Sequence, residues 1–243
     1  MKKLTLTWLI ALVIPFYGCD AILQLAPSLP SSLPVDPTQT EMVGGLKEAL
    51  VQGTSFAVNT LGAEGGYFKD PLVKIPFPPE AIKVANTMRD LGLGKLVDDF
   101  VLKLNEGAEK GAQLAFPIFK GAIQQMTFQD AKNILLGEQN AATMYFQTRT
   151  ETQLYGAFAP KIKASLDQVK ATDIWYEITS RYNKIPLVKP VETDIVKYAT
   201  NKAMDGRFLK VADEEAKIRN TISSRSTELL RKVFEYADRE KNN

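Results

Sequence analysis

The spacing of apolar residues predicts helices over most of the chain. From Glu41 to Gly62, apolar side chains recur at steps of three and four residues, which is the period of a helix that buries one face. The run from Leu96 to Ala115 has the same period, and its second half carries small residues that allow a neighbouring helix to approach closely. We expect further helices over 80–91, 118–126, 128–136, 140–158, 193–218 and 227–239, and a short aromatic helix that Asp173 caps and that contains Trp175 and Tyr176.

Residues with strong conformational preferences mark several helix ends. Thr127 to Asp130 resembles a capping box, and Gly137 supplies the corresponding stop. Pro117 is expected to break or kink one helix, and Pro160 is expected to open a separate helical piece. No stretch combines sustained alternation with β-branched residues. We therefore predict an all-α fold, a single domain of about eight to ten helices over residues 41–240. Further helix starts are expected at Asp173 and Thr193.

One short segment of the chain occurs twice in similar form. The sequence YFKDPLVK at 67–74 resembles YNKIPLVK at 182–189, and a predicted helix follows each segment. One explanation is a duplicated half-domain, which would give the fold pseudo-twofold symmetry. The other explanation is that two loops leading into helices contain similar residues. The sequence leaves both explanations open.

The first 40 residues resemble an export signal followed by a membrane tether. Two lysines precede an apolar run from Leu4 to Phe16, which suits a secretory signal and is short for a membrane-spanning helix. Cys19 follows Gly18 just after this run, as in the lipobox of bacterial lipoproteins, where the cysteine becomes residue one and is acylated. We predict a signal peptide over 1–18, then a lipidated cysteine and a flexible Pro/Ser-rich tether over 19–40.

The lipobox resemblance has an alternative explanation. Phe16 and Tyr17 stand where a lipobox usually has an aliphatic and a small residue, so the segment also fits an ordinary signal peptide with an incidental cysteine. Asp20 resembles an inner-membrane retention signal of enteric bacteria, but that rule does not extend to all bacteria. We expect a lipid-anchored protein in the cell envelope of a Gram-negative bacterium, facing the periplasm, with the choice between inner and outer membrane left open.

Composition and charge exclude several classes of function. The hydrophobic fraction of 45% and the charged fraction of 24% are ordinary for a globular protein. Cleavage after Gly18 would leave 28 basic and 28 acidic residues, so we expect no nucleic-acid partner. The chain has no histidine and one cysteine, which excludes Ser-His and Cys-His nucleophiles, histidine-ligated metals and an internal disulfide. We expect no cofactor and no metal.

Motifs in the central part of the chain resemble those of a known family. AFPIF..AI..M, T..DA..IL.G and AAT.YF follow one another between Glu109 and Phe146, and DGRFLKVADEEAKIR and RSTELLRKVF follow later. In this order they resemble the DUF4197 family of bacterial proteins of unknown function, over nearly the whole domain from Gly45 to Phe234. One departure is NTISS at 220–224, where the family tends to place a proline before its arginine. The resemblance implies an exported helical protein, often lipid-anchored, and implies no activity.

Polar residues inside apolar helical runs are the candidate site residues. Asn105 and Glu109 are four residues apart and therefore share a helix face. Because buried charges are tolerated when paired, we expect Glu109 or Asp213 to pair with an arginine and hold helices in register. A ligand site is the alternative interpretation. The candidates are Asn105, Glu109, Thr143, Tyr145, Arg149, Asp213, Glu214, Arg219 and Arg225.

Two functions are consistent with these features. The favoured one is a non-enzymatic helical module on a lipid tether that binds a partner protein or an apolar ligand. The alternative is a carboxylate-dependent hydrolase of envelope polymers, with Glu109 and either Asp213 or Glu214 as acid and base. The only support for this pair is that the residues are present, because their spacing in the sequence gives no further indication of catalysis. Two unpaired carboxyls across an open cleft would favour the hydrolase, and carboxyls buried against arginines would favour the binding module.

Overall fold

Helices dominate the computed structural model, which describes residues 35–191 and 193–242. No strand occurs among these residues, so the predicted all-α fold is confirmed. The predicted signal peptide, Cys19 and nearly all of the predicted tether lie outside the described residues. The helices of the described part are α1 Gln39–Gly62, α2 Ile82–Asp90, α3 Gly94–Ala112, α4 Phe116–Gln124, α5 Phe128–Leu135, α6 Ala141–Gln168, α7 Ala171–Asn183, α8 Ile195–Asn220 and α9 Glu228–Asn242.

Helix α1 begins at a capping box and packs closely on α9. The hydroxyl of Thr38 accepts a hydrogen bond from the amide of Glu41 at 3.2 Å, and the Glu41 carboxylate accepts one from the Thr38 amide at 2.8 Å. A Cβ atom on Gly45 would lie 2.8 Å from Cγ2 of Val233 in α9. Glycine at this position therefore sets how near the two helices come.

Four long helices, α1, α3, α6 and α8, form the centre of the bundle. Helix α6 packs along both α3 and α8, and α8 also packs along α1. The small residues of α3 allow this close approach, because a Cβ atom on Gly107 would lie 2.5 Å from Leu166 and one on Gly111 would lie 2.4 Å from Ile162. The remaining helices cover this centre, with α2 and α7 against α3, α4 and α5 against α1 and α6, and α9 against α1.

The predicted break at Pro160 is wrong. Helix α6 runs without interruption from Ala141 to Gln168 and contains Pro160. The proline ring crowds the carbonyl group of Gly156, four residues earlier. Both residues are exposed, and nothing lies within 4 Å of the Cβ position of Gly156. The carbonyl can therefore tilt outward into solvent, and the helix continues.

Two predicted helix starts are displaced by one or more residues. Helix α7 begins at Ala171, after Lys170 in a left-handed conformation with φ of 62°, so Asp173 lies in the first turn and is not the cap. Helix α8 is capped by Asp194, whose carboxylate accepts a hydrogen bond from the Lys197 amide at 2.9 Å. Thr193 precedes this cap. The predicted capping box at Thr127 is confirmed, whereas α7, which was expected to be short, continues to Asn183.

The repeated PLVK segments have different local structures. Tyr67 lies in a series of turns between α1 and α2, whereas Tyr182 lies within α7. Leu187 has a left-handed φ of 69°, and the corresponding Leu72 does not. Both tyrosines are buried and both leucines are exposed. The duplication stays a prediction.

No helix in the described part of the chain is long and apolar enough to cross a membrane.

Candidate functional site

Asn105 and Glu109 of α3 hold the long loop between α1 and α2. Both side chains are buried. The Asn105 amide accepts a hydrogen bond from the Ile75 amide and donates one to the Ile75 carbonyl, each at 2.8 Å. The Glu109 carboxylate accepts hydrogen bonds from the backbone amides of Gly65, Tyr67 and Phe68 at 3.1–3.2 Å. The expected partner of Glu109 was an arginine, but the carboxylate binds backbone amides instead.

Glu215 of α8 binds the N-terminus of α6. Its two carboxylate oxygens accept hydrogen bonds from the amides of Ala142 and Thr143, each at 2.9 Å, and from the Thr143 hydroxyl at 2.9 Å. These amides belong to the first turn of α6, where no carbonyl inside the helix is available to them. The negative charge also faces the positive end of the helix dipole. Thr143 is thus placed as part of a helix junction.

Arg219 completes this junction by binding the C-terminus of α5. Its guanidinium donates to Oε1 of Glu215 at 2.8 and 3.0 Å, and to the carbonyls of Ile134 and Leu135 at 2.7 and 3.2 Å. The positive charge therefore faces the negative end of the α5 dipole. The pair of Glu215 and Arg219 joins three helix ends, with both side chains about 6% exposed. We call it the three-helix junction.

Arg225 closes the end of α8. It donates to the carbonyls of Ile218 at 3.1 Å and Arg219 at 2.8 Å, which have no helical partner at this end. Its guanidinium also lies 2.8 Å from the carboxylate of Asp238 in α9. These contacts fasten the turn at 221–227 between the two helices.

A surface groove between α4, α5 and α6 contains Tyr145 and Arg149. Its volume is about 400 Å³, within the usual range for ligand sites. The Arg149 guanidinium lies 5.7 Å from the centroid of the Tyr145 ring and 3.6 Å from the Asp130 carboxylate. Partial burial raises the pKa of Tyr145, and Asp130 adds to this rise while Arg149 opposes it. Gly121 and Gln125 line the α4 side, and we call this surface the α4–α6 groove.

Asp213 and Glu214 lie elsewhere on α8. Asp213 is 42% exposed and lies 3.6 Å from Lys210. Glu214 pairs with Lys217 on the same helix. Both carboxylates therefore have lysine partners on α8. Glu109 instead accepts hydrogen bonds from three backbone amides. The described residues also contain no cluster of His, Cys, Asp and Glu side chains suited to a metal.

Two other spaces in the described part of the chain bear on binding. An apolar crevice between α1, α8 and α9, beside the three-helix junction, has a volume of about 20 Å³, enough for one water-sized molecule. A wider groove of about 840 Å³ lies between α2, α7 and the start of α8. At its wall, Tyr198 donates a hydrogen bond to the Pro76 carbonyl at 3.1 Å, and burial together with Glu80 raises the pKa of Tyr198 to about 12. None of the candidate residues lines this wider groove.

The chain matches one model of a known protein family over most of its length. A family model described as a protein of unknown function, DUF4197, matches residues 36–235. The chain belongs to the DUF4197 family. The resemblance seen in the sequence motifs is therefore confirmed. No curated protein and no solved structure matches the chain significantly.

Sequence reasoning missed two buried charged residues of this DUF4197 chain, Glu215 and Arg207. Glu215 is 8% exposed and Arg207 is 2% exposed. Both lie on the face of α8 that also buries Val211 and Ile218. Spacing along the helix was the available signal, because 207, 211, 215 and 218 follow one another at steps of three and four. Asp213 and Glu214, which were singled out instead, lie off this face.

Proposed function

We propose that this chain is a non-enzymatic binding module of the cell envelope, anchored through a lipid on Cys19 and facing the periplasm. The module binds a partner protein, and the α4–α6 groove is the contact surface. The α-helical domain supplies a rigid scaffold for that surface. The lipid keeps the domain close to a membrane.

The state of the buried carboxylates carries the proposal. A general acid or base must exchange a proton with a substrate, which requires access and a free position on the carboxylate. Glu109 is 6% exposed and accepts three backbone hydrogen bonds. Glu215 is engaged by two amides, a hydroxyl and an arginine. The hydrolase alternative therefore has no supporting observation among the described residues.

The chemistry of the α4–α6 groove favours a polypeptide partner. Tyrosine and arginine are the residue types that most often carry binding energy at protein interfaces, and both lie here as Tyr145 and Arg149. Gln125 and Gln153 at its edges offer donors and acceptors to a peptide backbone. Asp130 offsets the Arg149 charge, so the groove has no net charge that would select a strongly charged ligand. The apolar crevice, at about 20 Å³, does not admit a lipid chain without movement of the helices.

Site-specific photocrosslinking in cells tests the surface. A photoreactive residue replaces Gln125 in the α4–α6 groove, and the matched control replaces Gln168, which is also exposed and lies at the far end of α6. We expect a discrete crosslinked polypeptide from position 125 that is lost when Tyr145→Ala and Arg149→Ala are added, with the circular dichroism spectrum unchanged. Equal crosslinks from both positions, or none from 125, would overturn the assignment of the groove. A third photoreactive residue, placed at Asn201, tests whether the partner contacts the wider groove between α2, α7 and α8 instead.

Metabolic labelling tests the anchor separately. An acyl-chain analogue should label the wild-type protein, and Cys19→Ala should abolish the label and release the protein from the membrane fraction. Absence of label in the wild type, or label retained in Cys19→Ala, would refute the lipid anchor. Neither result would alter the conclusion about the groove.

A further inference from the structure

Arg207 of α8 is a buried cation at the centre of the bundle. Its side chain is 2% exposed, and Phe158 of α6 covers one face of the guanidinium, with the ring centroid 3.9 Å from Cζ. Helix α3 lies at its edge, because Nη2 is 3.9 Å from the position that a Cβ atom on Gly111 would take. The guanidinium is therefore enclosed by α3, α6 and α8.

None of the three guanidinium nitrogens of Arg207 has a hydrogen-bond acceptor among the described residues. Arginine presents five N–H donors and remains charged in proteins. A buried charge without a partner costs several kcal/mol, so such charges are normally paired. The stacking on Phe158 contributes roughly 2 kcal/mol when desolvated, and it satisfies no N–H group.

The neighbours of Arg207 do not supply the missing negative charge. Burial lowers the pKa of Arg207, and the nearby Tyr67 acts in the opposite sense. Burial raises the pKa of Tyr67 above its ordinary value of 10.0, so its hydroxyl stays neutral at physiological pH. The Tyr67 hydroxyl donates its hydrogen to the Ala203 carbonyl at 2.8 Å, which favours the protonated, uncharged form.

We propose that Arg207 is the receptor for a small inorganic anion, of halide size, bound between α3, α6 and α8. The guanidinium lies over the Phe158 ring, and its Nη2 is the nitrogen that lies 3.9 Å from the Gly111 Cβ position. A single anion there accepts hydrogen bonds from the guanidinium and neutralises its charge. The anion must be compact, because the guanidinium is only 2% exposed and Ile162 lies 2.4 Å from the Gly111 Cβ position on the same side.

Bromide is the probe that tests this site, since it scatters X-rays anomalously. We expect crystals of the domain grown with sodium bromide to show an anomalous peak within hydrogen-bond distance of the Arg207 guanidinium. Thermal unfolding is then compared in sodium bromide and sodium gluconate at equal ionic strength, because gluconate is too large for the site. A bromide concentration ten times the dissociation constant should raise the Tm of the wild type by about 3–6 °C.

Two variants separate a specific site from a general salt effect. Arg207→Met should lose the bromide-dependent rise in Tm and the anomalous peak. Arg181→Met, which removes an arginine of α7 that is 52% exposed, should keep both. Three results would overturn the proposal: water alone at the guanidinium in bromide crystals, bromide retained in Arg207→Met, or the guanidinium bonded to a protein carbonyl in the crystal. If Arg207→Met does not fold, the anomalous signal in wild-type crystals alone shows whether an anion binds at the guanidinium.

Discussion

Arg219 and Arg207 lie twelve residues apart on α8, and both are buried, yet their surroundings are opposite. Arg219 donates four hydrogen bonds, two to Glu215 and two to the carbonyls at the end of α5. Arg207 donates none to the described residues and rests on an aromatic ring. One helix therefore carries a buried cation whose three nitrogens all have acceptors and a buried cation whose three nitrogens have none among the described residues.

The difference shows that burial of a charge does not by itself reveal its effect on stability. A paired charge stabilises the arrangement around it because removing it strands its partners, whereas an unpaired charge raises the free energy of the folded state. Substituting the two arginines by the same apolar residue should therefore change stability in opposite directions.

Arg219→Met should produce the largest change. The substitution leaves the buried Glu215 carboxylate without its cation and the Ile134 and Leu135 carbonyls without a donor, so the free energy of unfolding should fall by about 3–5 kcal/mol. Equilibrium unfolding in urea, followed by circular dichroism, measures it. Arg149→Met on the exposed face of α6 serves as the control and should change stability by no more than about 0.5 kcal/mol. A loss below 1 kcal/mol for Arg219→Met would break the contrast.

Arg207→Met should have the opposite sign. In halide-free buffer the methionine removes an unpaired buried charge and keeps contact with Phe158, so the free energy of unfolding should rise by about 1–4 kcal/mol. The same urea titration measures this change. A destabilisation of similar size would mean that the guanidinium has acceptors in the folded protein, and the two arginines would then belong to one class.

Glu109→Gln tests how strongly neutral backbone amides stabilise a buried carboxylate, in comparison with the arginine that pairs with Glu215. The glutamine keeps one acceptor oxygen but places an NH₂ group against a backbone amide, which should cost about 1–3 kcal/mol. Hydrogen exchange at the Gly65 amide, which loses part of its acceptor, should accelerate more than exchange at the amides within α3. Glu106→Gln, on the same helix but paired with Lys103 at the surface, is the control and should cost only about 0.3–0.5 kcal/mol.

The partly exposed pair of Lys232 and Glu41 should give the smallest change in stability of those compared. The side chain of Lys232, and after it the amide and hydroxyl of Thr38, hold the pKa of Glu41 at about 2 instead of 4.5. A lowered folded-state pKa stabilises the protein above pH 4.5, and this contribution is lost as pH falls from 4.5 towards 2. The Tm of the wild type should therefore fall more steeply than that of Glu41→Gln across this window. Parallel curves would contradict the prediction.

Local sequence predicted the helices better than it predicted their junctions. The capping boxes at Thr38 and Thr127 depend on residues three apart, so their geometry follows from the sequence near them. Pro160 shows the limit of this reasoning, because the continuity of α6 depends on room for the Gly156 carbonyl at the surface. The same limit applies to Asp173 and Thr193, where helix starts moved by a residue or two.

The candidate residues were placed by contacts between distant parts of the chain. Glu109 was expected to meet an arginine but meets the amides of the 63–79 loop, 41–44 residues away in sequence. Asp213 was the other carboxylate expected to meet an arginine, but it lies near Lys210, and the buried partner of Arg219 is Glu215. The structure also separates the candidates. Asn105 and Glu109 hold the 63–79 loop. Thr143 and Arg219 belong to the three-helix junction, and Tyr145 and Arg149 lie in the α4–α6 groove.

The sequence by itself determined the helical class of the fold, most helix ends and membership of the DUF4197 family. These properties follow from apolar periodicity, capping residues and ordered motifs, each of which acts over a few residues. Only the tertiary structure decided which buried charges are satisfied. Donors and acceptors meet across helices that are far apart in sequence, so Arg219 forms four hydrogen bonds while Arg207, twelve residues earlier on the same helix, forms none with the described residues.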